Sequence, residues 1–281
     1  MSAESIYRDA EKKLKKWFFV DYDEAMELFE KAAGRFKAER NYSRAGDAFM
    51  KAHDCAMRSK NPVAAGRFCS EAVVMYQKTD RTKAAALLDM AVRTQIDNNK
   101  LREAAKLEKD YADAIYEDGH GMEAITHYEK ARRYFDAEDY KSQVKNCDVA
   151  IANIYGENDM FDKALALFER LGNTSASGPL RHEAKEFYMR AMLCRLASIG
   201  EDNREVGSAE AAEALSAYMK RDPYLKNTRE AESLQKLLEA VEESNEEKFE
   251  DAVSLLQELR MLDEWKTHVL LVVKNKMSSL L

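Results

Sequence analysis

The sequence predicts an all-α protein: a tetratricopeptide-like superhelical sheet of antiparallel helix hairpins, capped by a C-terminal helical bundle, with about 14 helices in all. Three observations carry this. Alanine recurs every 20 residues at Ala25, Ala45, Ala65, Ala85 and Ala105, slips by one to Ala124, meets Val144, and resumes at Ala164 and Ala184. A large apolar residue usually follows three or four places on: Phe29, Phe49, Phe68, Leu88, Tyr128, Phe168, Tyr188. Only ten glycines and three prolines interrupt 281 residues, of which 34% are charged and 46% hydrophobic, the profile of a helical chain.

A fixed internal period marks a stacked repeat, here one helix per 20 residues and one hairpin per about 40. Antiparallel helices approach closely only where side chains are short, and the aromatic one turn later fills the groove beside that contact. Residues 1–20 form a basic and aromatic segment: Lys12, Lys13, Lys15 and Lys16 lead into Trp17, Phe18 and Phe19. Residues 21–172 form the hairpin sheet. Asp21 or Asp23 can cap its first helix. Asn41, Asn61, Asp80, Asn99, Gly119 to Gly121, Asp139 and Asn158 then place a polar cap about one turn ahead of each alanine. The spacing is expected to stop near residue 172, where the turn-rich run from Gly172 to Pro179 begins. Residues 179–281 follow as the bundle, with helices near 180–198, 206–221, 225–243, 246–260 and 262–277.

Composition narrows the function. Lys plus Arg is 44 against 51 Asp plus Glu, a net charge of −7, so the chain is not built to coat nucleic acid. Cys55, Cys69, Cys147 and Cys194 lie apart in apolar helical patterns, without zinc spacing, and read as buried free thiols in a reducing, cytoplasmic setting. Residues 1–16 lack the apolar core of a signal peptide, and no run of 18 apolar residues suits a membrane span. No phosphate-cradling glycine loop, His-Glu-x-x-His or Gly-x-Ser-x-Gly occurs, so no catalytic residue, metal or cofactor is expected. Isolated His182 reads as a surface position. An all-helical enzyme using carboxylates and a metal finds no support in the spacing.

Two charged regions stand out. Cations beside Trp17, Phe18 and Phe19 suit peripheral contact with an anionic membrane, or the aromatics pack on the first repeat helix. Between Glu239 and Glu264 ten acids face two bases, either a solvated face or a dock for a basic partner. Leu280 and Leu281 end the chain, either engaged by a partner or folded back on the last helix.

Several stretches together resemble the soluble NSF-attachment proteins of the alpha/beta type. They are Arg35 to Phe49, Glu123 to Glu129, Lys163 to Glu169, Ala184 to Cys194, Leu237 to Glu243 and Leu262 to Trp265. The resemblance covers nearly the whole chain. It implies a cytoplasmic adaptor, peripherally associated with membranes and monomeric when free. Several copies would grip one SNARE four-helix complex and recruit the hexameric ATPase NSF to disassemble it. By position, the SNARE-binding cations resemble Arg40, Lys78, Lys100, Lys106, Lys185 and Arg229, with one displaced by a residue to Lys145. The NSF-binding set resembles Glu239, Glu242, Glu243 and Leu280, although Lys274, Lys276 and two serines replace the family's acidic tail. Trp17, Phe18 and Phe19 hold the place of a membrane loop, shortened by the direct run into Val20 and Asp21. The alternative function is a generic tetratricopeptide-like scaffold for extended peptides, whose usual unit is shorter, at about 34 residues.

Overall fold

The computed structural model describes residues 2–15, 20–179, 181–226, 228–259 and 262–278. Among them are fourteen α-helices. They are α1 (Ala3–Leu14), α2 (Tyr22–Ala38), α3 (Tyr42–Arg58), α4 (Pro62–Gln77), α5 (Arg81–Asp97), α6 (Leu101–Glu117), α7 (Gly121–Ala137), α8 (Lys141–Glu157), α9 (Phe161–Ala176), α10 (Arg181–Ser198), α11 (Arg204–Arg221), α12 (Arg229–Glu242), α13 (Glu246–Glu258) and α14 (Glu264–Ser278). Consecutive helices pack antiparallel. The chain divides into two compact units, residues 1–147 and 148–281, with the division inside α8.

The 20-residue spacing has a local cause. From α2 to α9 every link is three residues long. In six of the seven the middle residue takes a left-handed backbone: Arg40, Lys60, Asn99, Asp139 and Asp159 with φ of 57–58°, and Gly119 with φ of 83°. The next N–H then reaches back five residues to close the preceding helix, as from Asn41 to the Phe36 carbonyl (2.8 Å), Asn61 to Ala56 (2.9 Å) and Lys100 to Gln95 (2.8 Å). The same residue opens the following helix. Asn41 and Asn61 accept from the backbone N–H of Arg44 and Ala64. Seventeen helical residues and three link residues make the period. Asn99, Gly119 and Asp139 therefore close a helix rather than open one, a correction to their reading as N-caps; Lys100, His120 and Met160 open the next helices without a side-chain cap bond.

The seventh link is the exception. Residues 78–80 contain no left-handed residue, and the Asp80 N–H bonds the Tyr76 carbonyl at 2.7 Å. Helix α5 therefore starts one residue early. Ala84 is the buried residue of α5 and Ala85 is exposed, so the slip in the alanine series falls here and not at Ala124. Counted from the residue before each helix, the small residue is always fourth: Ala25, Ala45, Ala65, Ala84, Ala104, Ala124, Val144 and Ala164 each donate the first N–H to that residue's carbonyl.

The large apolar residue sits about one turn further along and is buried at Phe29, Phe49, Phe68, Leu88, Tyr128 and Phe168. In α6 this place belongs to Glu108, only 1% exposed. His127 Nδ1 at 2.6 Å and Lys130 Nζ at 3.5 Å, both from α7, satisfy its carboxylate.

The spacing does not stop at residue 172. Helix α9 runs on to Ala176 and α10 starts at Arg181, 20 residues after α9 starts. Gly172 is a packing residue: a Cβ there would stand 2.6 Å from the ring of Tyr188, whose hydroxyl donates to Asn173 Oδ1 at 2.9 Å. Gly46 lies under Tyr76 in the same manner, and that hydroxyl donates to Asp47.

In the second unit α10 is the central helix, buried at Phe187 through Met189 and at Ala191 through Cys194. Tyr188 stacks on Tyr218 of α11 at 4.5 Å, and Trp265 of α14 meets Phe168 edge-on at 5.3 Å. The Trp265 Nε1–H donates to the Asn153 carbonyl at 3.0 Å. Residues 243–245 join α12 to α13 by the same three-residue device, with Ser244 at φ 52° and Asn245 bonding back to Ala240.

Candidate protein-binding surfaces

Ion pairs tie up many cations of the first unit between helices two apart in sequence. Glu4 holds Arg44 at 2.8 Å, Glu30 holds Arg67 at 2.7 Å, Glu71 holds Lys37 at 3.2 Å and Glu123 holds Arg81 at 2.8 Å. Arg40, Lys78, Lys100 and Lys106 make no ion pair among the described residues, and Arg40, Lys78 and Lys106 are exposed.

Because consecutive helices reverse direction, successive links lie at opposite ends of the first unit. Arg40 and Lys78 share one end, where Lys78 Nζ sits 4.7 Å from the ring of Tyr42, the first residue of α3. Lys100 lies at the other end. Lys106, Lys145 and Lys185 fall on the fifth or sixth residue of α6, α8 and α10, a common register on alternate helices. The structure therefore distributes the seven cations over two link ends, one helical register and the start of α12.

In the second unit Lys185 Nζ meets Glu230 Oε1 at 2.6 Å. Burial opposes ionisation of Glu230, yet hydrogen bonds from Lys185 and from the start of α12 hold its carboxyl below the ordinary range. Arg229, the neighbour of Glu230, is exposed without an ion pair among the described residues. Lys185 and Arg229 thus share one locality.

Glu239, Glu242 and Glu243 all lie exposed at the C-terminal end of α12. Glu243 pairs with Lys248 at 2.5 Å, which raises the pKa of that lysine. Glu239 and Glu242 make no ion pair within 4 Å among the described residues, although Glu239 lies near enough to Lys236 and Lys248 to raise their pKa, and both acids stand at a helix C-terminus, where the backbone dipole disfavours negative charge. Glu250 pairs with Lys274 at 2.7 Å, so this lysine neutralises part of the acidic run and lowers the pKa of Glu250. Trp17, Phe18, Phe19 and Leu280 lie outside the described residues.

Sequence reasoning missed Met57 and Val63, large apolar side chains that are 54% and 49% exposed at the link between α3 and α4. Met57 reads as one more apolar residue in an amphipathic pattern, but it falls on the exposed face of α3 with Asp54 and Arg58, whereas Cys55 and Ala56 beside it are buried. The four cysteines are buried free thiols, and burial pushes Cys55 up to about 11 and Cys69 up to about 12. Among the described residues no group of three or more His, Cys, Asp or Glu is placed to hold a metal, and no helix is long and apolar enough to cross a membrane.

A stack of helices that buries its apolar residues between neighbours and leaves unpaired charge on links and faces is a repeat scaffold for binding macromolecules. The chain belongs to the SNAP family: the family model described as soluble NSF attachment protein, SNAP, matches residues 1–278. Members of this family are non-enzymatic adaptors. The chain is 29% identical over 276 residues to the alpha-soluble NSF attachment protein of Vitis vinifera, covering 97% of this chain and 93% of that one. It is 30% identical over 255 residues to the beta-soluble NSF attachment protein of Bos taurus, covering 90% and 83%. A probable vesicular-fusion protein, the sec17 homolog of Schizosaccharomyces pombe, is 27% identical over 256 residues, covering 90% and 86%.

Proposed function

We propose that the chain is an adaptor that binds assembled SNARE complexes and recruits and stimulates the NSF ATPase for their disassembly in vesicle fusion. The observation that carries this is the family match over residues 1–278. The names of the plant, bovine and fission-yeast relatives, which refer to NSF attachment and vesicular fusion, support it. Arg40, Lys78, Lys100, Lys106, Lys145, Lys185 and Arg229 are the cations that meet the acidic SNARE bundle. Glu239, Glu242, Glu243 and Leu280 meet the ATPase, and Trp17, Phe18 and Phe19 touch the membrane.

Many modest exposed contacts make such binding steeply dependent on salt. A pull-down with assembled SNARE complex at low salt tests it. Wild-type chain is retained, and Lys100→Glu with Lys106→Glu weakens retention at least about tenfold. Retention unchanged by that pair overturns the assignment of those lysines. A chain that neither binds the complex nor speeds its disassembly when added with NSF overturns the function.

A further inference from the structure

Among the described residues of the first unit, the link between α3 and α4 is set apart by two exposed large apolar side chains flanking exposed cations. Met57 in the last turn of α3 and Val63 in the first turn of α4 project from it, and Arg58, Lys60, Asn61 and Pro62 between them are exposed. From Met57 to Val63 there are two cations and no acid.

This tip is rigid. The left-handed Lys60 lets the Asn61 N–H bond the Ala56 carbonyl at 2.9 Å, and the Asn61 side chain caps α4 through the Ala64 N–H at 3.1 Å. Asn98, the C-cap of α5, donates through Nδ2 to the Pro62 carbonyl at 3.0 Å. Arg58 Nη1 donates to the hydroxyl of Tyr22, the first residue of α2, at 3.0 Å. The apolar side chains are therefore held outward at an end of the unit rather than lying on a flexible strand.

The pattern around them selects the partner. A docked helix needs an apolar stripe along a helix face. Here the exposed positions one turn inward are Asp54 on α3 and Arg67 on α4, and nearly two turns inward Lys51 on α3, all charged. Apolar exposure stops at the tip. A partner that meets only the tip, accepts apolar side chains to shallow depth and attracts cations is an anionic bilayer surface.

We propose that the link from Met57 to Val63 is a second membrane-contacting tip. Met57 and Val63 enter the headgroup layer, and Arg58 and Lys60 meet anionic lipid groups. It stands on its own residues and adds to the contact proposed for Trp17, Phe18 and Phe19. Tyr22, which Arg58 holds, follows that aromatic segment by three residues.

Co-sedimentation of the full chain with protein-free vesicles tests it, comparing phosphatidylcholine with and without 30% phosphatidylserine, at low and high salt. The wild-type chain partitions to the anionic vesicles more than to the neutral ones, and less in high salt. Met57→Glu with Val63→Glu, at exposed positions, leaves the melting temperature unchanged and cuts partitioning at least about tenfold. Lys60→Gln cuts it about fivefold. Both act with the aromatic segment intact, whereas Phe18→Ser with Phe19→Ser tests that segment separately. Wild-type partitioning in the Met57 and Val63 double variant overturns the inference. So does a double variant that melts lower yet still binds, because the patch is then covered by the chain itself. Indifference to phosphatidylserine overturns it as well. The SNARE pull-down in detergent, without vesicles, judges the proposed function independently of this result.

Discussion

Single left-handed residues set the length of the repeat. A β-carbon makes that conformation costly by about 1 kcal/mol or more, which glycine avoids. Lys60 is exposed and holds φ at 57° without a hydrogen bond or ion pair from its side chain among the described residues. Lys60→Gly is expected to stabilise the chain by about 0.5–1 kcal/mol, and Gly119→Ala to destabilise it by about 1 kcal/mol, both read from urea midpoints. The buried thiols make a second residue-level prediction. A thiol whose folded pKa is raised keeps its stabilising share fully below its unfolded value near 9.0 and loses it as pH climbs toward the folded values, about 11 for Cys55 and about 12 for Cys69. Burial raises Tyr76, Tyr128 and Tyr218 in the same direction. The urea midpoint should therefore fall as pH passes 9, and a thiol reagent at pH 8 should label native protein far more slowly than unfolded protein. Rapid labelling of all four cysteines in native protein contradicts the burial.

At the scale of the element, the helices read from sequence as helices, and the misread boundary near residue 172 has a physical source: glycine and asparagine serve two ends. Gly172 lies inside α9 because Tyr188 leaves no room for a Cβ, and its neighbour Asn173 accepts the hydroxyl of that tyrosine. Both residue types also mark turns, so a run of them read as a loop. Alanine has the better helix propensity by about 1 kcal/mol, so Gly172→Ala would stabilise an isolated helix. In this fold it is expected to destabilise by about 1–3 kcal/mol, because the Tyr188 ring must shift against Tyr218. Thermal melting of Gly172→Ala beside an exposed control, Gly34→Ala, decides between the readings; Gly34 has open space around its Cβ position. The alanine period was legible because it follows from backbone closure. Its true slip at Ala84 was not, since Ala85 stands beside it by coincidence and only the shorter α4, closed at residues 78–80 without a left-handed residue, tells them apart. Glu108 broke the apolar series for a reason that needs α7 in place, the paired His127 and Lys130.

At the scale of the molecule, the charges assigned to the two partners differ in sign and in their place along the chain. Arg40, Lys78, Lys100 and Lys106, without an ion pair among the described residues, belong to residues 1–147, whereas Glu239 and Glu242 belong to residues 148–281, as does the exposed Arg229. Charge counting gave this separation in outline, but which side chains stay free depended on three-dimensional pairings such as Arg67 with Glu30 and Glu250 with Lys274. Uncompensated exposed charge governs encounter and salt sensitivity, whereas charge already paired contributes little to a new partner. Two partners of opposite sign can then be released separately from one chain. Glu239→Lys with Glu242→Lys is expected to weaken recruitment of the ATPase at least about tenfold while leaving retention on SNARE complex within about twofold. Lys100→Glu with Lys106→Glu should do the reverse. Glu243→Gln, which releases Lys248 from its partner, should have a smaller effect than either acid reversal. Binding measured for both partners across a salt series, on the same four proteins, provides the check. Parallel loss of both partners in either double variant would show that the two charged surfaces do not act independently.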